Sequence, residues 1–232
     1  MATTPDPNQA FLREVDEELR RDQVAALWRN WGKVALAAIV AALAIFAGIL
    51  WWNHNKEQVA GVEGETLQKA YDSLGANKVA EAEKPLAELV KSDSSGYRAT
   101  AMFTQADILL EKRDDKAAIA KFAAIAADTS LPKPFRDLAL VRQTTAEYDA
   151  LQPQAVIDRL RPLATKESAW FGSAGEMVAI AYLRMNRREL AGDLFGRIAR
   201  EESVPPSIRQ RALEMAGVLG VDAVDQKGSN KQ

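Results

Sequence analysis

Two hydrophobic patterns divide the chain. Residues 34–52 (VALAAIVAALAIFAGILWW) form an unbroken apolar run of 19 residues. At ~1.5 Å per helical residue the run spans roughly 28 Å, close to the ~30 Å hydrocarbon layer of a bilayer. No polar face interrupts it, so it predicts a transmembrane helix rather than a core helix. From residue 53 onward the pattern changes. Alanine-rich segments place apolar residues at i, i+3 and i+4, and neither sustained alternation nor a hairpin turn signals a strand. Breaks fall at Gly75-Ala-Asn, Ser92 to Gly96, Leu131-Pro-Lys-Pro134, Gln152-Pro153, Asn186 and Val204-Pro-Pro206. Between them lie helices of about 12 to 18 residues.

The helices repeat. Ala106 is followed twelve, sixteen and nineteen residues later by Ala118, Phe122 and Ile125, and Ala179 by Ala191, Phe195 and Ile198 at the same offsets. Ala70, Ala82, Leu86 and Leu89 form a third copy. The spacing leaves room for one degenerate unit between the second and fourth, with helices expected from Pro134 to Ala150 and from Pro153 to Lys166 and Leu160 and Leu163 as its core. A period near 36 residues is close to the ~34 of tetratricopeptide repeats. Small residues at two seats let paired helices approach closely, and a large residue fills the gap to the next unit. The predicted fold is all-α: one transmembrane helix, then a tetratricopeptide-like solenoid of about four helix pairs with a capping helix from Pro206 to Leu219. The expected divisions are a leader (1–33), a span (34–52), a repeat domain (53–220) and a flexible tail (221–232).

Charge placement orients the span. Arg13, Arg20, Arg21, Arg29 and Lys33 precede it, whereas only Lys56 and Lys69 follow closely, so the N-terminus is expected in the cytoplasm. Trp28, Trp31, Trp51 and Trp52 bracket the run as membrane-interface residues. The charged leader, and tryptophans where a signal peptide would need small residues, predict an uncleaved anchor. Phe11, Val15, Leu19 and Ala26/Leu27 give the leader a short amphipathic helix, for which surface attachment and partner docking both remain open.

Composition removes most chemistry. The chain has no cysteine and one histidine, His54, so thiolate catalysis, Cys-ligated metals and His-pair sites are excluded. A net charge of −2 argues against nucleic acid as partner. No glycine-rich phosphate loop or nucleophile elbow is found. Lys166 near Ser168 and Lys91 near Ser92 lie in turns, where serine is expected structurally. Asp114-Asp115 opens a helix, where negative charge suits the dipole. No catalytic, cofactor-binding or metal site is predicted, and the chain reads as a non-enzyme.

The leader FLREVDEELRRDQ (11–23) directly before the span, and the stretch 156–217 with its Trp-Phe, Ala-Gly-Glu, Ala-Tyr and Val-Pro-Pro-Ser-Ile-Arg landmarks, resemble the YfgM-like family of ancillary SecYEG translocon subunits in Gram-negative bacteria, most closely its alphaproteobacterial members. The resemblance implies an inner-membrane protein with a periplasmic domain. It also implies association with SecYEG and the periplasmic chaperone PpiD, and assistance to emerging, unfolded client proteins. A cytoplasmic stress-signalling role is part of the family picture, and this chain's longer leader departs from the short-tailed members there. An alternative is a membrane-anchored scaffold for another envelope complex, in cell division or cell-wall assembly.

Tetratricopeptide arrays bind extended segments along the surface lined by first helices. Carrying the family's groove positions onto this chain gives Leu67, Tyr71 and Leu74 in the first unit and Thr100, Phe103, Asp107, Leu110 and Glu111 in the second. The third supplies Leu140, Thr144, Glu147 and Tyr148, and the fourth Glu176, Ile180, Leu183 and Arg184. For Leu110, Ile180 and Leu183 the sequence leaves a core role equally open.

Overall fold

The computed structural model describes residues 7–223, with side chains from Lys33 onward except Ala35. Nine helices and no strand occur among the described residues. They are α1 (Pro7–Gly75), α2 (Val79–Leu89), α3 (Ser95–Glu111), α4 (Asp115–Ala127), α5 (Lys133–Glu147), α6 (Pro153–Leu160), α7 (Phe171–Arg184), α8 (Arg188–Arg200) and α9 (Pro206–Val218). The chain divides into two units between Gly61 and Val62.

The first unit is the part of α1 up to Gly61. Its large apolar side chains from Val34 to Trp52 are all between 53% and 68% exposed. Apolar surface left this open costs about 25 cal/mol per Å² in water. The helix is long and apolar enough to cross a membrane. At the end of the run the Lys56 ammonium sits 5.3 Å from the centre of the Trp52 ring, an arrangement in which the cation meets the negative face of the indole. Trp28, Trp31 and the leader's apolar residues Phe11, Val15, Leu19, Ala26 and Leu27 lie outside the described side chains.

The second unit begins at Val62. The end of α1 and α2, then α3 with α4, α5 with α6 and α7 with α8 form four helix pairs, and α9 closes the array. In three of the pairs the turn is built alike. Asn77, Arg113 and Asn186 have φ of 58°, 62° and 58°. In each, the next residue's N–H reaches back to a carbonyl in the last turn: Lys78 to Ser73 (2.8 Å), Asp114 to Leu109 (2.9 Å) and Arg187 to Tyr182 (2.9 Å). This left-handed cap satisfies carbonyls that a helix end leaves open. Asp114 adds an N-cap, accepting from the Ala117 N–H at 3.1 Å. The third pair lacks the cap and turns instead at Gln152 and Pro153.

The core follows the repeat offsets through all four units, including the degenerate one. Ala70, Ala106, Thr144 and Ala179 are fully buried, as are Ala82, Ala118, Val156 and Ala191 twelve residues after each. Leu86, Phe122, Leu160 and Phe195 fill the sixteenth-offset seat, and Leu89, Ile125, Leu163 and Ile198 the nineteenth. The third unit thus keeps the offsets while replacing both alanines. Three apolar clusters result: Leu86 and Leu89 with Ala101 and Ile108; Phe122 and Ile125 with Leu131 and Ala139; and a larger one from Val141 to Ala223.

Two segments differ from the sequence reading. The second helix of the third unit is expected to reach Lys166 and stops at Leu160, with Arg161 still in helical backbone at its C-cap, because Pro162 has no N–H to donate to the Asp158 carbonyl and its ring crowds that carbonyl. The first residues of the expected tail are packed rather than free. Val221 and Ala223 pack against the large cluster, and the Val221 N–H donates to the Ala216 carbonyl at 2.9 Å. Glycines make this possible: a Cβ at Gly192 would meet Val221 Cγ2 at 2.8 Å and Leu219 Cβ at 3.3 Å. Residues 224–232 lie outside the described residues.

Thr144 gives a direct test of the seat. Its hydroxyl donates to the Leu140 carbonyl of its own helix at 2.7 Å, so no polar partner elsewhere depends on it. Thr144→Ala is expected to stay within about 1 kcal/mol of the parent, whereas Thr144→Leu overpacks the helix contact and costs about 1–3 kcal/mol. Chemical denaturation of both variants checks the ordering, and equal losses would contradict it.

Candidate functional site

The first helices α3, α5, α7 and α9 stand in sequence, and side chains one period apart tie each to the next. Arg142 of α5 pairs with Asp107 of α3. The Arg184 guanidinium donates to the Tyr148 and Leu151 carbonyls, both at 3.2 Å, and lies 5.6 Å from the Tyr148 ring centre. Arg211 of α9 grips Glu176 of α7 through two hydrogen bonds, 2.9 and 2.7 Å. The Tyr148 hydroxyl donates to the Met177 carbonyl at 3.0 Å, and burial pushes its pKa up. Glu147 accepts from Arg159 of α6 at 3.2 Å.

The expected groove residues therefore divide. Tyr71 and Ile180 are exposed, at 41% and 37%, so for Ile180 the surface reading fits better than the core one. Leu67 and Leu74 pack half-buried on the first cluster, Phe103 and Leu110 on the second, Leu140 and Leu183 on the third. Thr100 is half-buried and Glu111 exposed. Asp107, Glu147, Tyr148, Glu176 and Arg184 are engaged in the contacts just described. Thr144 is fully buried and cannot touch a partner. It occupies the seat held by alanine in the other units, so the third unit's register is shifted by one and Thr145, which is exposed, takes its place on the face. Thr145, Arg142 and Arg211 are the residues that sequence reasoning missed. The offset of twelve, sixteen and nineteen from Thr144 to Val156, Leu160 and Leu163 was the signal available.

Three of the turn residues, Lys166, Ser168 and Ser92, make contacts within or between loops. Lys166 Nζ meets Glu201 Oε2 at 3.0 Å, and Ser168 Oγ accepts from the Trp170 N–H at 3.1 Å. Ser92 Oγ accepts from the Ser94 N–H at 2.9 Å. Among the described residues no group of three or more His, Asp or Glu is placed to hold a metal ion.

Glu201 links two loops, since it also accepts from the Ser203 hydroxyl at 2.9 Å. The Lys166 hydrogen bond, then that of Ser203, lowers its pKa. A carboxylate with a depressed folded-state pKa contributes stability above its unfolded value, about 4.3 for glutamate, and loses it as pH falls through the folded value. Glu201→Gln is therefore expected to lower Tm at pH 7, with the difference from the parent closing progressively below about pH 4.3. A gap that persists undiminished in acid would contradict this assignment.

The chain matches a family model described as a tetratricopeptide repeat-like domain over residues 26–195. No curated protein and no solved structure matches the chain.

Proposed function

The chain belongs to the tetratricopeptide repeat-like domain family, and from that membership we propose that it is a membrane-tethered adaptor whose first-helix face receives partner segments. Domains of this family are protein-interaction modules and are generally non-catalytic. The observation that carries the reading is the exposure of Tyr71 and Ile180, together with half-buried Phe103, Leu110 and Leu183 on the first helices α3 and α7. A helix of exposed apolar residues before the domain supports a single span in the inner membrane, and the basic residues preceding it support a cytoplasmic N-terminus and a periplasmic repeat domain. The resemblance of the leader and of residues 156–217 to the YfgM-like family supports SecYEG and PpiD as partners and emerging chains as clients. Tethering raises the local concentration of the face near such partners, so modest intrinsic affinity suffices.

Photo-crosslinkers at Tyr71, Phe103 and Ile180, activated in intact membranes, test this reading. Recovery of translocon subunits and PpiD supports it. Recovery of division or cell-wall machinery alone overturns it in favour of an envelope scaffold.

A further inference from the structure

The charged side chains in the middle of the first-helix face are already spoken for. Asp107 is paired with Arg142 and Glu176 with Arg211, in each case by the neighbouring unit. Glu147 is held by Arg159, and the Arg184 guanidinium is directed at two backbone carbonyls. The same helices carry half-buried Phe103 and Leu110 on α3 and Met177 and Leu183 on α7, with Thr145 on α5 and Ile180 on α7 exposed. A ligand charge lying over a close ion pair meets opposite fields of similar size that largely cancel and that salt screens further. The exposed carboxylates Glu111 and Asp149 stand only at the C-terminal ends of α3 and α5, at the rim.

We propose that this face selects uncharged, apolar-rich extended polypeptide segments, because its own inter-repeat ion pairs neutralise it. The proposal rests on the reading that the face binds partner segments. The pairs then have two roles: they fix each first helix to the next, and they withhold charge from the ligand. Affinity comes from apolar contact, and salt has little leverage on it.

The test uses the full chain in phosphatidylcholine nanodiscs, with empty nanodiscs as control. Three labelled peptides of equal length serve as probes: one of Leu, Phe, Ser and Gln, one with glutamates and one with lysines replacing the polar positions. The neutral peptide is expected to bind most tightly, with a change of less than about twofold between low and high salt, a range over which exposed charges become screened. Glu176→Gln leaves Arg211 unpaired, and this variant is expected to gain about threefold to tenfold for the glutamate peptide at low salt and to lose the gain at high salt. The double variant Glu176→Gln with Arg211→Gln should return to salt-independent binding, which a merely structural pair would not predict. Tighter, salt-sensitive binding of either charged peptide by the parent overturns the proposal, as does failure of the neutral peptide to bind. Neutral-peptide binding without translocon crosslinks would remove the translocon and leave the selectivity. Translocon crosslinks with charge-dependent peptide binding would do the reverse.

Discussion

Phe122→Ala is expected to cost about 3–5 kcal/mol, the usual range for emptying a phenylalanine seat in a core. Phe122 is fully buried and is the largest of the buried side chains in its cluster. Its ring lies 6.1 Å from that of Phe103, and the Arg142 guanidinium stands 5.1 Å from its centre. The substitution therefore removes the floor beneath Phe103 and one support of the Asp107 and Arg142 pair. A loss of this size is a large fraction of the roughly 5–15 kcal/mol that stabilises an ordinary domain. Because repeat arrays are coupled mainly through neighbours, the damage should be local. Hydrogen exchange is expected to show α3 to α5 losing protection while α7 to α9, whose cluster shares no buried residue with that of Phe122, keep theirs. Phe122→Leu should cost less than half as much, since leucine fills the equivalent seat at Leu86 and Leu160. Uniform loss of protection along the whole domain would show that the array melts as one body.

Leu43→Arg is expected to shift membrane integration by about 3–4 kcal/mol, the difference between leucine and arginine at the centre of an inserted helix. Residue 43 is the midpoint of the run 34–52, with nine apolar residues on either side, so the guanidinium is as far from either interface as the run permits. Ile39→Arg with Leu43→Arg should about double the penalty and move most of the protein out of the carbonate-resistant membrane fraction. The repeat domain's Tm is expected to stay unchanged, since neither residue belongs to its three clusters. An unaltered membrane fraction in the double variant would remove the span from the proposed function.

The same residues show how far sequence carried and where it stopped. Ala70, Ala106 and Ala179, with their partners at fixed offsets, exposed the repeat because small residues recur where helices touch. The third unit was located only by its spacing and its core leucines, because Thr144 and Val156 took the alanine seats. The seats tolerate them: the threonine hydroxyl is satisfied within its own turn, so a polar residue type ended up fully buried. That one substitution displaced the expected groove register and placed Thr144 on a face it does not reach. Pro162 was visible, but whether it would end α6 or kink it depended on backbone context. The docking of Val221 and Ala223 escaped a reading based on local polarity, although Gly192 and Gly196, one turn apart in α8, mark a slot for an approaching chain. The ties Asp107 to Arg142 and Glu176 to Arg211 span 35 residues each, so they become legible only after the period is known and the helices are set side by side.

The division of the repeat domain into three apolar clusters bears on how it carries load. A single core resists tension until it fails at once, whereas clusters arranged in series yield one after another and can re-form one by one. With the end of α1 in the first cluster and Ala223 in the last, a pull across the domain would be taken up in steps. Such a chain of latches would lengthen in increments under load and recoil when released.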